Sequence, residues 1–316
     1  MFWRTLPTRM WLMWLCLMIG LGATFYGVLS LGAKATIAQQ LLHRQQILAR
    51  AEGSNITSYF QVFGDAIAVF AQLESTRSRN VNVVRNMDAF VEQWRDSGLV
   101  GGIVLTDKQG VVRFNSNVLG TRDIGASLAD RDYFVWAKNQ SGEGEYFVGQ
   151  PVVSRLGASK DQAIVVVASP VFQQGAFTGV LAASVKLQPL TQRYLELLKV
   201  SDSTDVYLIN KSGDLLYSRS AADVGARTFK LLNDDTVKRA VNTTGEGTLE
   251  TEEHLIAYSS LSLRDQHWLI IMSTPIQTVV SLTTPIYIRQ LAIFLLVSLT
   301  ILLFGVVAAR QHQKSL

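Results

Sequence analysis

The sequence predicts an α+β protein: two antiparallel-sheet modules in tandem on a long N-terminal helix, flanked by two transmembrane helices. Three observations lead to this fold class. Similar segments recur along the chain, two apolar runs are long enough to cross a membrane, and strand-like and helix-like patterns alternate between them. Short turns join many of the strands, which favours hairpins over a doubly wound parallel sheet.

The repeat has three landmarks that occur in the same order in both copies. IVLTDKQGVVRFNS at 103–116 returns as VYLINKSGDLLYS at 206–218, DIGAS at 123–127 returns as DVGAR at 223–227, and SGEG at 141–144 returns as TGEG at 244–247. A module of about 100 residues was therefore duplicated. We predict a first module at 99–188 and a second at 189–275.

Two apolar runs flank the modules. Residues 10–33 carry no charge, and residues 290–309 lie between Arg289 and Arg310. A membrane-spanning helix needs about 20 apolar residues. We therefore predict transmembrane helices at 10–33 and 289–310. A cleaved signal peptide is the alternative for the first run, but the apolar core of such a peptide is only about 7–15 residues long.

The charges near these runs predict the topology. Arg4 and Arg9 precede the first run, and Arg310 and Lys314 follow the second. The positive-inside rule places the tails, 1–9 and 311–316, in the cytoplasm. The sequence thus predicts a two-pass membrane protein in contact with membrane lipid. The ectodomain would lie in the periplasm or outside the cell.

The intervening loop, 35–288, is nearly neutral. It holds 23 basic and all 25 acidic side chains, so the net charge of +4 belongs to the membrane-flanking segments. A nucleic-acid-binding surface needs clustered basic residues. We therefore expect no nucleic-acid partner.

The first part of the loop has helical periodicity. Residues 35–98 are predicted as a long helical spine, with one helix to about residue 78 and a second at 81–97 that ends at Gly98. An interruption near Gly53 remains an open alternative.

The elements after the spine alternate between strands and helices. In the first module we predict strands at 100–107, 111–116, 145–154, 163–172 and 177–187, and a helix at 129–140. A helix at 189–200 leads into the second module. There we predict strands within 206–218 and near 247–251, 254–260 and 267–274, with a helix at 230–242.

The sequence gives little support for catalysis. It has four histidines without metal-binding spacing, and it has no nucleophile elbow, Walker loop or dinucleotide fingerprint. We therefore expect a protein that is not an enzyme and that uses no cofactor and no metal.

One polar and aromatic cluster, DRDYFVWA at 130–137, is the candidate ligand site. Arg131 can bind a carboxylate through two hydrogen bonds, and Tyr133 can add a hydroxyl. Phe134 and Trp136 can line an apolar pocket. The alternative is a structural helix whose arginine pairs with a neighbouring aspartate. Further candidates on later strands are Tyr146, Ser154 and Ser169.

The second module has no equivalent of this cluster. Its counterpart, RTFKLLNDD at 227–235, lacks the tyrosine and the tryptophan. This difference favours one ligand-binding copy and one structural copy.

The combination of two anchors, a long helix, a duplicated module, RDYF, GQPVVSR, ASPVF and GAFTGVLAASV resembles the double Cache sensor domains of bacteria, over about residues 40–275. The resemblance implies two PAS-like modules on a shared helix, in a two-pass protein of the bacterial inner (plasma) membrane. It also implies that the first, membrane-distal module binds a small molecule and that the second is membrane-proximal.

The resemblance also implies a ligand class. Amino-acid-binding members pair an Arg-x-Trp-Tyr run with acidic residues on later strands, where this chain has Ser154 and AAS at 182–184. Since these later-strand positions offer no acid for an ammonium group, a carboxylate without an amine is favoured among organic acids and amino acids.

The predicted function is that of a membrane-anchored periplasmic sensor domain that binds a small molecule and transmits a signal across the membrane. Seven residues follow Ala309, so we expect no output domain and a membrane or cytoplasmic signalling partner. A homodimer through the long helix is also expected. The alternative is a solute-binding accessory subunit of another membrane protein, without signalling.

Overall fold

The computed structural model describes residues 8–198, 200–218 and 245–314. Most side chains before Gly32 and after Thr300 lie outside the described part. The predicted helix at 230–242 and the segments DVGAR and RTFKLLNDD also fall outside it.

Six helices occur in the described residues. They are α1 (Thr8–Gln72), α2 (Glu74–Ser78), α3 (Asn82–Arg95), α4 (Asp132–Lys138), α5 (Leu187–Leu195) and α6 (Gln277–Lys314). A short 3₁₀ helix spans Gly157–Ser159. The prediction of a long spine helix followed by a second helix is confirmed.

The first helix passes Gly53 without interruption and ends at Gln72, because Leu73 has an extended backbone. Gly53 lies against the second module: a methyl group there would sit 3.7 Å from Leu261 and 3.8 Å from Ile270. The glycine therefore marks a close helix–sheet contact, whereas the sequence left open a break in the helix.

Eleven strands form two antiparallel sheets in the described residues. The first sheet contains β1 (Val100–Thr106), β2 (Val112–Asn117), β3 (Phe147–Val148), β4 (Val152–Val153), β5 (Ala163–Gln173) and β6 (Ala176–Lys186). The second contains β7 (Asp205–Asn210), β8 (Leu215–Ser218), β9 (Glu246–Glu250), β10 (His254–Leu263) and β11 (Gln266–Pro275).

The two sheets have the same strand order. The first is ordered β2-β1-β6-β5-β3, with β4 also paired to β5, and the second is ordered β8-β7-β11-β10-β9. This confirms the α+β class with a long N-terminal helix and two antiparallel sheets.

The single strand predicted at 145–154 is instead two short strands, β3 and β4. Gly149 and Pro151 separate them, and proline has no N–H to donate to a sheet. The Gly149 N–H still bonds the Val166 carbonyl at 2.8 Å, so the segment stays beside β5.

The first turn of each module has the same hydrogen bonds. The Asp107 carboxylate accepts the Val111 N–H at 2.9 Å, and the Asn210 side-chain oxygen accepts the Asp214 N–H at 2.8 Å. Each turn contains a glycine at φ 84°, Gly110 or Gly213, where a left-handed backbone favours glycine. The two copies therefore share side-chain hydrogen bonds as well as strand order.

The GEG landmark is also structurally equivalent in both copies. Glu143 of the first copy pairs with Arg77 of α2 at 2.5 Å, and Glu246 of the second pairs with Arg50 of α1 at 2.6 Å. In both modules this turn is therefore tied to the helical spine.

The inward face of α1 supplies the core. Ile56, Phe60, Phe63 and Ile67 are at most 1% exposed and recur at helical spacing. One continuous apolar cluster joins them to residues of both sheets, and the Phe60 ring contacts the Trp268 ring edge-on, with centroids 5.8 Å apart.

The chain divides into two compact units. One contains residues 1–43, 250–255 and 274–316, and the other contains residues 44–249 and 256–273. Within the first unit, the rings of Tyr26 and Tyr287 meet edge to face at 5.9 Å.

One helix among the described residues is long and apolar enough to cross a membrane, the segment Gln277–Thr300 of α6. It begins before the predicted span at 289–310. Most side chains of the other predicted span, 10–33, lie outside the described residues, so that span stays a prediction.

Asp107 predicts a dependence of stability on pH. Burial alone would raise the pKa of Asp107, but hydrogen bonds from the Val111 N–H and from Arg113 together hold the pKa below its usual value. The carboxylate therefore stabilises the fold above its unfolded pKa, about 3.9. That contribution is lost as the pH falls through the lower folded pKa.

We expect Asp107→Asn to lower the thermal midpoint by a few degrees at pH 7 and to have almost no effect near pH 2, because asparagine supports the same turn at position 210. Thermal unfolding followed by circular dichroism would measure this, with Asp96→Asn, at the C-terminal boundary of α3, as the control. An equal loss at both pH values would contradict the assignment.

Candidate ligand-binding site

A cavity lies on the face of the first sheet that is turned away from α1. Ile103 and Leu105 of β1 belong to the core shared with the spine, whereas Val104 faces the cavity. The walls come from β1, the end of β2 and the loop after it, β4, β5, β6, the start of α4 and the segment around the 3₁₀ helix. The cavity volume is about 60 Å³. A single water needs about 10–15 Å³ on this measure, so there is room for a small polar ligand.

Two glycines form part of the floor. A β-bulge lies between Val100 and Gly102. A methyl group on Gly101 would collide with Ser159 Oγ and lie 2.8 Å from Ser184 Oγ. A methyl group on Gly102 would lie 2.7 Å from the Ser116 carbonyl oxygen. The absence of side chains at both positions therefore keeps the hollow open.

Arg131 lies at the N-terminal boundary of α4 and lines the cavity. One of its guanidinium nitrogens donates to the Val153 carbonyl at 3.3 Å. None of the ion pairs found among the described residues involves Arg131. Its remaining donors are thus available for an anionic group.

The neighbouring cation is already paired. Arg155 also lines the cavity, and it binds Asp130 at 2.8 Å. The hydrogen bond from Arg155 lowers the pKa of Asp130, and the same bond raises the pKa of Arg155. The alternative in which Arg131 pairs with Asp130 or Asp132 is therefore not what the structure contains.

Tyr133 lines the cavity from the first turn of α4 and is 4% exposed. Burial raises the pKa of its phenol well above the usual value. The hydroxyl therefore keeps its proton at neutral pH and can donate a hydrogen bond.

An acidic group, Asp123, also lines the cavity. The later-strand positions, Ser154 and 182–184, carry no acid, as the sequence indicated, and the acid of this cavity comes instead from the loop after β2. Asn115 positions this residue, because its side-chain N–H donates to Asp123 Oδ2 at 3.2 Å and its oxygen accepts the Asp123 N–H at 3.2 Å. The recurrence of DIGAS and DVGAR was a sequence signal for this loop, but it did not show where the carboxylate would lie.

Asn117 shapes the same loop. Its side-chain oxygen accepts the N–H groups of Leu119 and Thr121 at 3.0 and 3.3 Å. Its amide nitrogen donates to the Thr121 carbonyl at 2.8 Å. The two asparagines of N-S-N at 115–117 thus hold a polar wall opposite the 3₁₀ helix, where Gly157 leaves space beside both Asn117 and Asp123.

Serines from three segments complete the polar lining. Ser154 Oγ donates to the Leu156 carbonyl at 3.0 Å. Ser159 is 2% exposed, and its hydroxyl has no hydrogen-bond partner within the described part of the chain. Ser184 contributes a further hydroxyl from β6. A polar ligand could therefore satisfy Ser159.

The seven candidate residues separate into two groups. Arg131, Tyr133 and Ser154 line the cavity. The other four lie elsewhere, and they are Phe134, Trp136, Tyr146 and Ser169.

Each of these four has another environment. Phe134 packs against Phe177, with centroids 6.2 Å apart, and Trp136 stacks on Phe147 at 5.2 Å. The Ser169 hydroxyl donates to the Glu145 carbonyl at 2.7 Å. Tyr146 belongs to the apolar cluster on the spine side of the sheet.

The lining of the cavity consists of groups that bind and orient a polar solute. It combines an unpaired guanidinium, a neutral phenol, a carboxylate, amides and hydroxyls, which are groups that fix the orientation of a polar solute. No cluster of three or more metal-binding side chains occurs in the described parts of the chain.

Comparison with known proteins identifies relatives. A family model described as Cache domain matches residues 33–283. No curated protein matches the chain.

Several solved structures share the fold. The extracellular domain of the histidine kinase vpHK1S-Z8 is 16% identical, with a TM-score of 0.62 over 80% of this chain and 96% of its own. The ligand-binding domain of the Campylobacter jejuni chemoreceptor Tlp3, with 4-methylisoleucine, is 12% identical, with a TM-score of 0.56 over 77% and 93%.

The ligand-binding domain of the Pseudomonas fluorescens chemoreceptor CtaA, with L-serine, is 16% identical. Its TM-score is 0.53 over 71% of this chain and 92% of its own. At these identities the likeness establishes the fold.

The glycine floor gives a prediction about stability. Gly102→Ala should destabilise the protein by about 1–3 kcal/mol, because the new methyl group would press on a backbone carbonyl. Gly142→Ala is the control, since a methyl group there meets nothing within 4 Å. Thermal unfolding of both variants would measure the difference. Equal thermal midpoints for the two variants would contradict this prediction, because β1 and β2 would then accommodate the methyl group without loss of stability.

Proposed function

The chain belongs to the Cache domain family, and on that premise we propose that it is a membrane-anchored sensor. In this proposal the first module binds a small extracellular solute, and the protein transmits the binding event across the membrane. The cavity binds its ligand without chemical change. The observation that carries the proposal is the placement of unpaired Arg131 and of Asp123 on one small cavity.

The proposed ligand carries both a carboxylate and an ammonium group. Arg131 can bind the carboxylate with two charge-assisted hydrogen bonds, and the Tyr133 hydroxyl can add a third. The Asp123 carboxylate can bind the ammonium. This revises the ligand class that the sequence favoured, because the missing acid comes from the loop after β2 and not from a later strand.

The volume favours a small amino acid. Only about 60 Å³ is open in the cavity, and Leu128, Val152 and Ile164 narrow its apolar part. The ligands in the solved complexes of two chemoreceptor domains with this fold, L-serine and 4-methylisoleucine, are amino acids. They support the class, and a cavity of this size fits the smaller of the two better.

Signalling requires two states that bind the ligand differently. A ligand shifts such an equilibrium only by its difference in affinity for the two states. We propose that the protein spans the membrane twice, through 10–33 and the apolar part of α6. A signalling partner would then respond to a displacement of these spans.

A homodimer through α1 is part of the proposal. Val62 and Val69 are each 62% exposed and lie seven residues apart, so they share one outward face of the helix. Exposed apolar residues at this spacing favour helix pairing.

The ligand proposal predicts a specific pattern of binding. The full chain in lipid nanodiscs, titrated calorimetrically, should bind one or more of the small amino acids L-serine, L-alanine and glycine. Arg131→Ala should weaken that binding by about 10- to 100-fold, because a hydrogen bond to a charged group is lost.

Asp123→Asn should weaken amino-acid binding by about tenfold. It should leave the binding of acetate, lactate and propionate unchanged, because these acids carry no ammonium group. Arg95→Ala, on the exposed side of α3, is the control. Binding of an amino acid that neither variant affects would place the site elsewhere, and binding of the organic acids alone would restore the ligand class predicted from the sequence.

The dimer proposal predicts that Val62→Glu with Val69→Glu shifts the full chain in detergent from dimer to monomer, because four carboxylates would face each other. Light scattering coupled to size exclusion would measure the mass. Gln61→Glu, exposed on α1 but about 100° around the helix from Val62, is the single-charge control. A monomeric wild type would contradict the proposal at once.

A further inference from the structure

Tyr146, which the sequence suggested for the cavity, lies between the first sheet, α1 and the second module. On one side its ring packs against α1, where a methyl group at Gly64 would lie 2.6 Å from Tyr146 Cζ. On the other side, the Arg264 guanidinium lies 4.4 Å from the centre of the Tyr146 ring. Arg264 belongs to the turn between β10 and β11 of the second module.

The residue before Tyr146 reinforces this contact. Glu145 forms an ion pair with Arg264. The backbone of Glu145 is held in turn by the first sheet, because the Ser169 hydroxyl of β5 donates to its carbonyl at 2.7 Å. The second module is therefore bonded to a segment that is fixed to β5 of the first sheet.

The residue after Tyr146 leads towards the cavity. Phe147 begins β3 and stacks on Trp136 at 5.2 Å, with 30° between the rings. Trp136 lies on α4, the same short helix whose start carries Arg131 and Tyr133. The path from the cavity to the second module thus crosses one helix turn, one stacked pair and one ion pair.

The loop that carries this path is restrained on its other side as well. Glu143 pairs with Arg77 of α2.

Burial raises the pKa of Tyr146, and the nearby Asp65 and Asp265 raise it further. The phenol is therefore neutral at physiological pH, and its interaction with Arg264 does not change with pH in that range.

We propose that Gly64, Glu145, Tyr146, Ser169 and Arg264, together called the Tyr146 joint, couple α4 of the first module to the second module and the spine. A shift of α4 displaces Phe147 and the adjoining Tyr146. The Tyr146 ring has no free space against Gly64, so the displacement reaches α1 and Arg264. Coupling of this kind is reciprocal, so a change at Arg264 also affects α4.

The joint deepens the proposed function, because ligand binding beside α4 is what would set it in motion. It can nevertheless be tested without any ligand. The measurement is native-state hydrogen exchange of the full chain in nanodiscs, comparing wild type with Arg264→Ala. Exchange of residues 132–138 should rise about fivefold or more, at the lower end of typical coupling between sites.

Two further variants keep the test decisive. Glu145→Gln preserves the shape of the side chain and removes only the ion pair with Arg264. Hydrogen exchange should therefore rise in the same residues, but by less. This variant replaces Arg264→Ala should the latter fail to fold. Trp136→Leu tests the opposite direction and should raise exchange at 262–266. Arg95→Ala, which removes an Arg–Glu pair within α3, is the matched control and should change neither segment.

An increase confined to residues 145–146 and 262–266 in the Arg264 variant would overturn the proposal, because the contact would then be only a local brace. Changes equal to those of the Arg95 control would overturn it too. Since no ligand is present, failure here leaves the proposed binding function standing, and failure of the amino-acid titration leaves the joint standing.

Discussion

The inward face of α1 is the feature on which the rest of this structure depends. An antiparallel sheet of five or six strands has to bury one face, and neither sheet does so alone. Phe60, Phe63 and their neighbours provide a common apolar surface for both sheets. Since that surface covers one face of the first sheet, the opposite face is left to α4 and the loops, and this is where the cavity lies.

Much of the fold could be predicted from the sequence because it depends on local patterns. Hairpin turns, helical periodicity and the repeat are visible in one dimension. The site was only partly predictable, since it depends on side-chain direction and on long-range hydrogen bonds. Arg131 and Tyr133 face the cavity, but Trp136, one turn further along α4, is directed to Phe147. The position of Asp123 depends on Asn115, a residue of the preceding strand.

The two copies differ where the first has its cavity. Aligning Asp107 with Asn210 places Thr204 and Asp205 at the positions of Gly101 and Gly102. Thr204 is 1% exposed, and its hydroxyl accepts the Ser201 N–H at 3.1 Å. Where the first module keeps a hollow, the second therefore has a buried side chain. The glycine pair was a signal in the sequence that distinguishes the copy with the cavity, and it agrees with the difference in the aromatic cluster.

Arg264 has a backbone φ of 54°, a left-handed conformation that glycine, asparagine or aspartate adopts more easily in a hairpin turn. For an arginine this conformation costs about 1–2 kcal/mol. A glycine would relax the turn but would remove the guanidinium from Tyr146 and Glu145. The β10–β11 turn thus accepts a strained backbone at Arg264, and in return its tip carries a long cation that reaches Glu145 and Tyr146 of the first module.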